Sequence, residues 1–394
     1  MPAISIENLD VVFGQNTAPA LELLDQGKSR QEIIDQTGLV VGVDNVTLDV
    51  QQGEICVLMG LSGSGKSSLL RAVNGLNPVT RGALKIQDGE QSIDLAQCDA
   101  DTLRHLRTNK VSMVFQKFAL MPWLSVLDNV AFGLEMQGIG KQQRRAQARE
   151  KLAMVGLAEW ENKLPHELSG GMQQRVGLAR AFAMDSDILL MDEPFSALDP
   201  LIRSQLQDEL LLLQKQLNKT IIFVSHDLDE ALKIGSRIAI MESGKLIQYG
   251  KPEQIVLTPE TQYVKDFVAH TNPLNVLKGR SLMNSSDSLV QDNGRWQICQ
   301  QSDLWVEKQQ QQWVVCGDSP VELIEWHAEL SLQSLNPQTL VMASPDIDMR
   351  QAIEIRYRTG NPILLMEENR LLGTLSDHDF YHALLGKYHQ AQAA

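Results

Sequence analysis

Three closely spaced glycines followed by a lysine leave few folds open to this chain. Residues 60–67 read GLSGSGKS, which fits G-x-x-x-x-G-K-[ST]. An apolar run, EICVLM, leads in, and SSLLRAVNGL leads out, so the loop is expected between a buried strand and a helix. Gly60, Gly63 and Gly65 let the backbone wrap so that successive N–H groups point at phosphate oxygens. The helix N-terminus behind them adds partial positive charge. Lys66 is placed to reach the β- and γ-phosphates of a nucleotide, and the Ser67 hydroxyl to coordinate Mg²⁺. Leu61, Ser62, Ser64 and Ser68 complete the expected nucleotide-binding stretch.

A second element answers the first. ILLMDEP, residues 188–194, reads as a buried strand that ends in two acids. Asp192 is expected to hold Mg²⁺, and Glu193 to orient and polarise the attacking water. Neighbouring side chains on a strand point in opposite directions, so the two can serve different partners. Around this pair, KVSMVFQ, TIIFVSH and RIAIMESG alternate with amphipathic helices up to about residue 250, the pattern of an α/β sheet. MESGKLIQYG reads as a terminal hairpin with a Ser-Gly turn. Upstream, residues 1–13 alternate as an edge strand does, and 43–59 hold two strands. Residues 15–41 look inserted. Pro19 can start one short helix there, and Ser29 with Glu32 forms a capping box for a second.

At roughly 150 residues per domain, 394 residues suggest two or three domains. Hydrophobic residues at 43% and charged residues at 21% are ordinary globular usage. Thirty-five basic against forty-nine acidic residues give a net charge of −14, which disfavours nonspecific contact with nucleic acid or an anionic membrane surface. The four cysteines stand far apart, without metal-ligand spacing, so reduced thiols and a cytoplasmic chain are expected. No signal peptide is visible, and no apolar run reaches the ~18 residues of a membrane span.

Residues 168–174, LSGGMQQ, resemble the signature motif of ABC-type ATPases. The resemblance extends in family order over residues 4–250. It implies an α/β fold: a P-loop ATPase domain with a RecA-like core, an antiparallel β subdomain and a helical subdomain at about 117–185. It also implies ATP and Mg²⁺ as cofactors. Ser169, Gly170, Gly171 and Gln173 would meet the ATP held by a second copy, in a head-to-tail homodimer. Gln116 resembles the Q-loop glutamine, a Mg²⁺ or water ligand. Asp199, in SALD, resembles the D-loop acid at the dimer seam. His226 resembles the switch histidine that contacts the γ-phosphate, and Phe13 the aromatic that stacks on adenine. KFALMPWLSVLDNVAFGLE resembles the surface that meets the coupling helix of a permease.

The chain carries one ATPase half, which resembles a separate importer subunit. DQGKSRQEIIDQTG and the neighbouring phrases are similar to ATPases of glycine betaine, proline betaine and choline importers. AVNGLNPVTRG, CDADTLRHLR and DFVAHTNPLNVL most resemble the choline branch, with betaine or carnitine import as the alternative and a soluble non-transport ATPase as a remote one. The resemblance implies an integral membrane permease, a periplasmic binding protein that selects the cargo, and a peripheral position on the cytoplasmic face of the bacterial inner membrane.

The domain boundary is expected near residue 275. Residues 276–394 carry nine basic and fifteen acidic residues, so neither part is a basic tail. NPILLMEENRLLGTLSDHDFYHALL, 361–385, reads strand, turn, strand, helix, with 347–360 as a preceding helix. This resembles the second half of a CBS module, with 281–320 as a degenerate first unit. A regulatory domain is implied, although ionic-strength sensing in relatives is attributed to a cationic face that this acidic stretch lacks.

Overall fold

The structure is a computed structural model that describes residues 2–196, 198–269, 277–299, 303–310, 312–316, 321–327 and 330–384. They divide into two units, Met1–Ile255 with Glu260–Val264, and Val256–Pro259 with Lys265–Ala394. The boundary expected near residue 275 falls within 270–276, outside the described residues.

The first unit begins with β1 (Pro2–Phe13), followed by the short helices α1 (Ala18–Asp25) and α2 (Arg30–Thr37). The capping box is present: Ser29 Oγ accepts from the Glu32 N–H, and Glu32 accepts from the Ser29 N–H. β2 (Val40–Gln51) and β3 (Ile55–Met59) come next, then α3 (Lys66–Val73), β4 (Arg81–Asp88), β5 (Gln91–Asp94), α4 (Ala100–His105) and β6 (Val111–Val114). Three helices occupy the middle of the unit: α5 (Val126–Met136), α6 (Lys141–Met154) and α7 (Gly170–Ala183). The chain then alternates β7 (Ile188–Asp192), α8 (Pro200–Leu217), β8 (Thr220–Val224), α9 (Leu228–Ile234) and β9 (Arg237–Glu242), and closes the hairpin with β10 (Lys245–Gly250).

Two sheets result. The order β10-β9-β3-β8-β7-β6 is parallel from β9 to β6, with β10 as an antiparallel edge. β3, β7 and β8 are buried at every residue, as strands covered on both faces should be. The second sheet, β2-β1-β4-β5, is antiparallel. Here the sequence expectation needs correction. β1 is not an edge strand, because it pairs with β2 on one side and β4 on the other. Polar and apolar alternation reports which faces a strand shows, not how many neighbours it has. The strand expected to reach Gln116 also stops earlier, at Val114.

The inserted hairpin packs Ala20, Ile33 and Leu39 against Val12 and Val41. Arg81 ties it down, donating from Nη1 to both Asp25 oxygens at 2.8 and 2.9 Å and from Nε to Asp10 at 2.6 Å.

In the second unit, Thr339–Ala343, Met349–Thr359, Ile363–Glu367, Arg370–Leu375 and Asp377–Leu384 run strand, helix, strand, strand, helix. The first two strands are parallel and the last pair antiparallel. The earlier stretch differs from the degenerate CBS unit expected over 281–320. Arg295–Cys299, Leu304–Gln309 and Gln312–Cys316 form an antiparallel meander, with Gln310 left-handed at φ 46° in its second turn. The reason is local. Apolar runs at 304–306 and 313–315 flank the polar stretch 307–312, the pattern of two strands joined by a polar turn.

Arg81→Ala would leave the Asp10 carboxylate, 1% exposed, with the Asn45 N–H but without its cation. We expect a loss of about 1–3 kcal/mol, read as a lower urea midpoint at unchanged m.

Candidate functional site

β3 delivers the chain to the glycine loop, and α3 carries it away. Gly65 stands at the N-cap of α3 in the left-handed region, φ 102°, with no side-chain cap, so the first helical N–H groups face the loop. A Cβ at Gly65 would lie 2.4 Å from the Gly42 carbonyl oxygen, which makes glycine obligatory there. Lys66 Nζ donates to the Gly60 oxygen at 2.8 Å, the Leu61 oxygen at 2.9 Å and Ser64 Oγ at 3.4 Å. Burial pushes the Lys66 pKa down, while Glu193 and Asp192 push it up. A cation is thus held inside a ring of backbone groups. Leu61, Ser62 and Gly63 form the exposed crest, and the Leu61 N–H donates to the Tyr263 hydroxyl at 3.3 Å.

The acids close the site from β7, which lies beyond β8 in the sheet. Ser67 Oγ donates to Asp192 Oδ1 at 2.8 Å, and Arg71 Nη2 pairs with Oδ2 at 3.1 Å. Asp192 is 1% exposed, so both oxygens of a buried carboxylate are engaged. Glu193 leaves the strand in a left-handed conformation, φ 48°, and its N–H donates to the Val224 oxygen at 3.2 Å. The turn aims its carboxylate away from Asp192. Gln116 Nε2 donates to Glu193 Oε2 at 3.1 Å, and His226 Nδ1 lies 3.4 Å from the same oxygen. The ends of β6, β7 and β8 therefore meet at one carboxylate, at the C-terminal edge where α/β sheets bind ligands.

His226 stands on a braced loop. Ser225 Oγ donates to Glu230 Oε2 at 2.5 Å, and Gln207 of α8 donates to Glu230 Oε1 at 3.0 Å. Burial raises the Glu230 pKa. Phe13, half-exposed at the end of β1, has its ring beside Gly42: a Cβ built on Gly42 would meet Phe13 Cε2 at 2.6 Å and Ser68 at 3.1 Å. The ring thus stands next to the loop.

The signature residues lie elsewhere. Ser169 caps α7, accepting the Met172 N–H at 3.3 Å. A Cβ on Gly170 would meet nothing within 4 Å, so this helix start is open. Asp199 caps α8 through the Ile202 N–H at 3.1 Å. Among the described residues, no hydrogen bond links Ser169, Gly170, Gly171 or Asp199 to residues 60–68. Gln173 donates inward to the Pro165 and Leu168 oxygens, at 2.9 and 3.2 Å, and so braces the preceding loop. Arg180 of α7 donates to the Phe118 and Ala119 oxygens, at 2.9 and 2.7 Å, and fixes the segment after Gln116. On that segment Trp123 is 75% exposed.

Arg71, Tyr263 and Arg180 escaped the sequence reading. For Arg71 a signal existed: it follows Ser67 by four residues on α3, hence shares its face. Tyr263 and Arg180 act across the chain and carry no such local mark.

As for known proteins, residues 43–196 match the family model described as ABC transporter. The chain is 49% identical over 291 residues to a glycine betaine transport ATP-binding protein of Bacillus subtilis (strain 168), covering 74% of this chain and 69% of that one. It is 49% identical over 276 residues to a trimethylamine N-oxide transport system ATP-binding protein of Ruegeria pomeroyi, covering 70% and 80%. Among solved structures, the dimeric post-hydrolysis state of an ATP-binding cassette bound to ADP and Pi matches with TM-score 0.55 and 30% identity, over 63% of this chain and 98% of that one.

Gly65→Ala forces a side chain against the Gly42 carbonyl at a left-handed φ. Equilibrium binding should show nucleotide affinity reduced by more than about tenfold.

Proposed function

The chain belongs to the ATP-binding subunits of ABC transporters, and from that premise we propose that it powers uptake of a small quaternary amine, with glycine betaine as the foremost cargo. The convergence of Gln116, Glu193 and His226 beside Lys66 carries the reading, since it is the arrangement that hydrolysis of a terminal phosphate requires. Choline, suggested by the sequence phrases, gives way to betaine because the relatives named above transport glycine betaine and trimethylamine N-oxide.

In this reading the loop N–H groups and Lys66 hold the β- and γ-phosphates, and Phe13 stacks on the base. Glu193 orients the attacking water, kept in place by Gln116 and His226. His226 contacts the γ-phosphate. Ser67 sets a hydroxyl against Asp192, and Gln116 sets an amide against the adjacent Glu193; hydroxyl, carboxylate and amide oxygens are the hard set that suits Mg²⁺. Ser67, Asp192 and Gln116 would hold that ion, whose chemistry is neutralisation of phosphate charge. Arg71 pairs with Asp192 and holds its carboxylate aligned meanwhile.

Ser169 and Gly170 are exposed at the start of α7 and, among the described residues, make no hydrogen bond to the cradle of their own chain, so we assign them, with Gly171, to the nucleotide of a second copy, with Asp199 at the seam. Gln173 braces the loop behind them. Two ATP thus close a head-to-tail homodimer. The exposed Trp123 segment, held by Arg180, would pass that closure to an integral membrane permease supplied by a periplasmic binding protein. Among the described residues no helix is long and apolar enough to cross a membrane, which fits a peripheral subunit on the cytoplasmic face. We assign residues 1–275 to the ATPase domain and 276–394 to a regulatory domain with a CBS-like half.

Glu193→Gln keeps the hydrogen bonds but removes the base. It should bind ATP, dimerise and hydrolyse about 100-fold or more slowly, as measured by phosphate release and light scattering. Turnover near wild type would remove Glu193 from its role.

A further inference from the structure

The helical hairpin between β1 and β2 reaches the glycine loop. Arg30 is the first residue of α2, and its Nη1 donates to the Gly63 carbonyl oxygen at 2.9 Å. Arg30, Ile33 and Thr37 recur at i, i+3 and i+7, so the face that buries Ile33 at 0% exposure also turns Arg30 toward the body. The capping box fixes where α2 starts, and the Arg81 pairs to Asp25 and Asp10 fix α1. The guanidinium is therefore delivered from a rigid support rather than from a free side chain.

The receiving peptide follows an exposed glycine. Gly63 is left-handed, φ 78°, and a Cβ there would meet nothing within 4 Å. Left alone, a glycine of this kind permits the 63–64 peptide to turn over. Because a peptide unit is planar, the direction of the Gly63 carbonyl dictates the direction of the Ser64 N–H. That N–H now points across the loop to the Leu61 oxygen at 3.1 Å. Holding the carbonyl outward keeps the N–H inward, where phosphate oxygens are to be bound. Arg30 makes no other hydrogen bond among the described residues, and its charge is partly answered by the Asp44 carboxylate.

We infer that Arg30 is a positioning residue for the nucleotide cradle, and that the hairpin carrying it sets affinity for nucleoside di- and triphosphates. The inference rests on the cradle reading above.

The test is equilibrium binding of MgADP to the full chain and its variants by calorimetry, with thermal unfolding in parallel. Arg30→Ala should weaken binding about tenfold. Arg30→Lys, which retains one donor for the carbonyl, should recover most of that loss. Asp25→Ala loosens the same hairpin at its far end and should lower the melting temperature while leaving affinity within about twofold. Wild-type affinity in Arg30→Ala would overturn the inference. So would a lysine variant as weak as the alanine one, or Asp25→Ala weakening binding as much as Arg30→Ala, since the hairpin would then act only through stability. Absence of MgADP binding in the wild type would instead sink the cradle reading itself.

Discussion

The hydrogen bond from Ser67 to Asp192, 2.8 Å long, joins the end of the glycine loop to the end of β7, and the chemistry of the site depends on that junction. The two residues are 125 positions apart and meet only because β3 and β7 flank β8 in one parallel sheet. Once they meet, Lys66 and the loop N–H groups face the same space as Glu193. The buried strands supply the rigidity. With β3, β7 and β8 buried throughout, a shift of one strand would break core packing before it moved the carboxylate.

Function then follows from what the sheet brings together and what it leaves apart. One chain assembles the loop, the acids, Gln116 and His226. It leaves Ser169 and Gly170 exposed at the start of α7, with no hydrogen bond to the cradle among the described residues. The braces behind the site have a matching logic. Glu230 links the loop that carries His226 to α8, whose N-terminus Asp199 caps. Arg180 links α7 to the segment that exposes Trp123.

Much of this was legible in the residue order. The loop, the paired acids, the hairpin at 241–250 and the Ser29–Glu32 capping box are local patterns whose physics is contained in a few neighbouring residues. What the sequence hid was long-range. Alternation along residues 2–13 could not reveal that β1 has two partners. The pairing of 304–309 with 312–316 lies in a stretch whose resemblance pointed to a CBS unit. Arg30 carries no local mark of its contact with Gly63, 33 positions away. Gln173 carries no local mark of its bonds to the Pro165 loop either.

The most direct test is ATP hydrolysis by the complex reconstituted with its permease and binding protein, with glycine betaine, trimethylamine N-oxide, carnitine and choline added in turn. The account predicts stimulation, with glycine betaine effective at the lowest concentration. Basal hydrolysis that none of these amines stimulates would contradict it, for the convergence at Glu193 would then serve an ATPase uncoupled from this class of cargo.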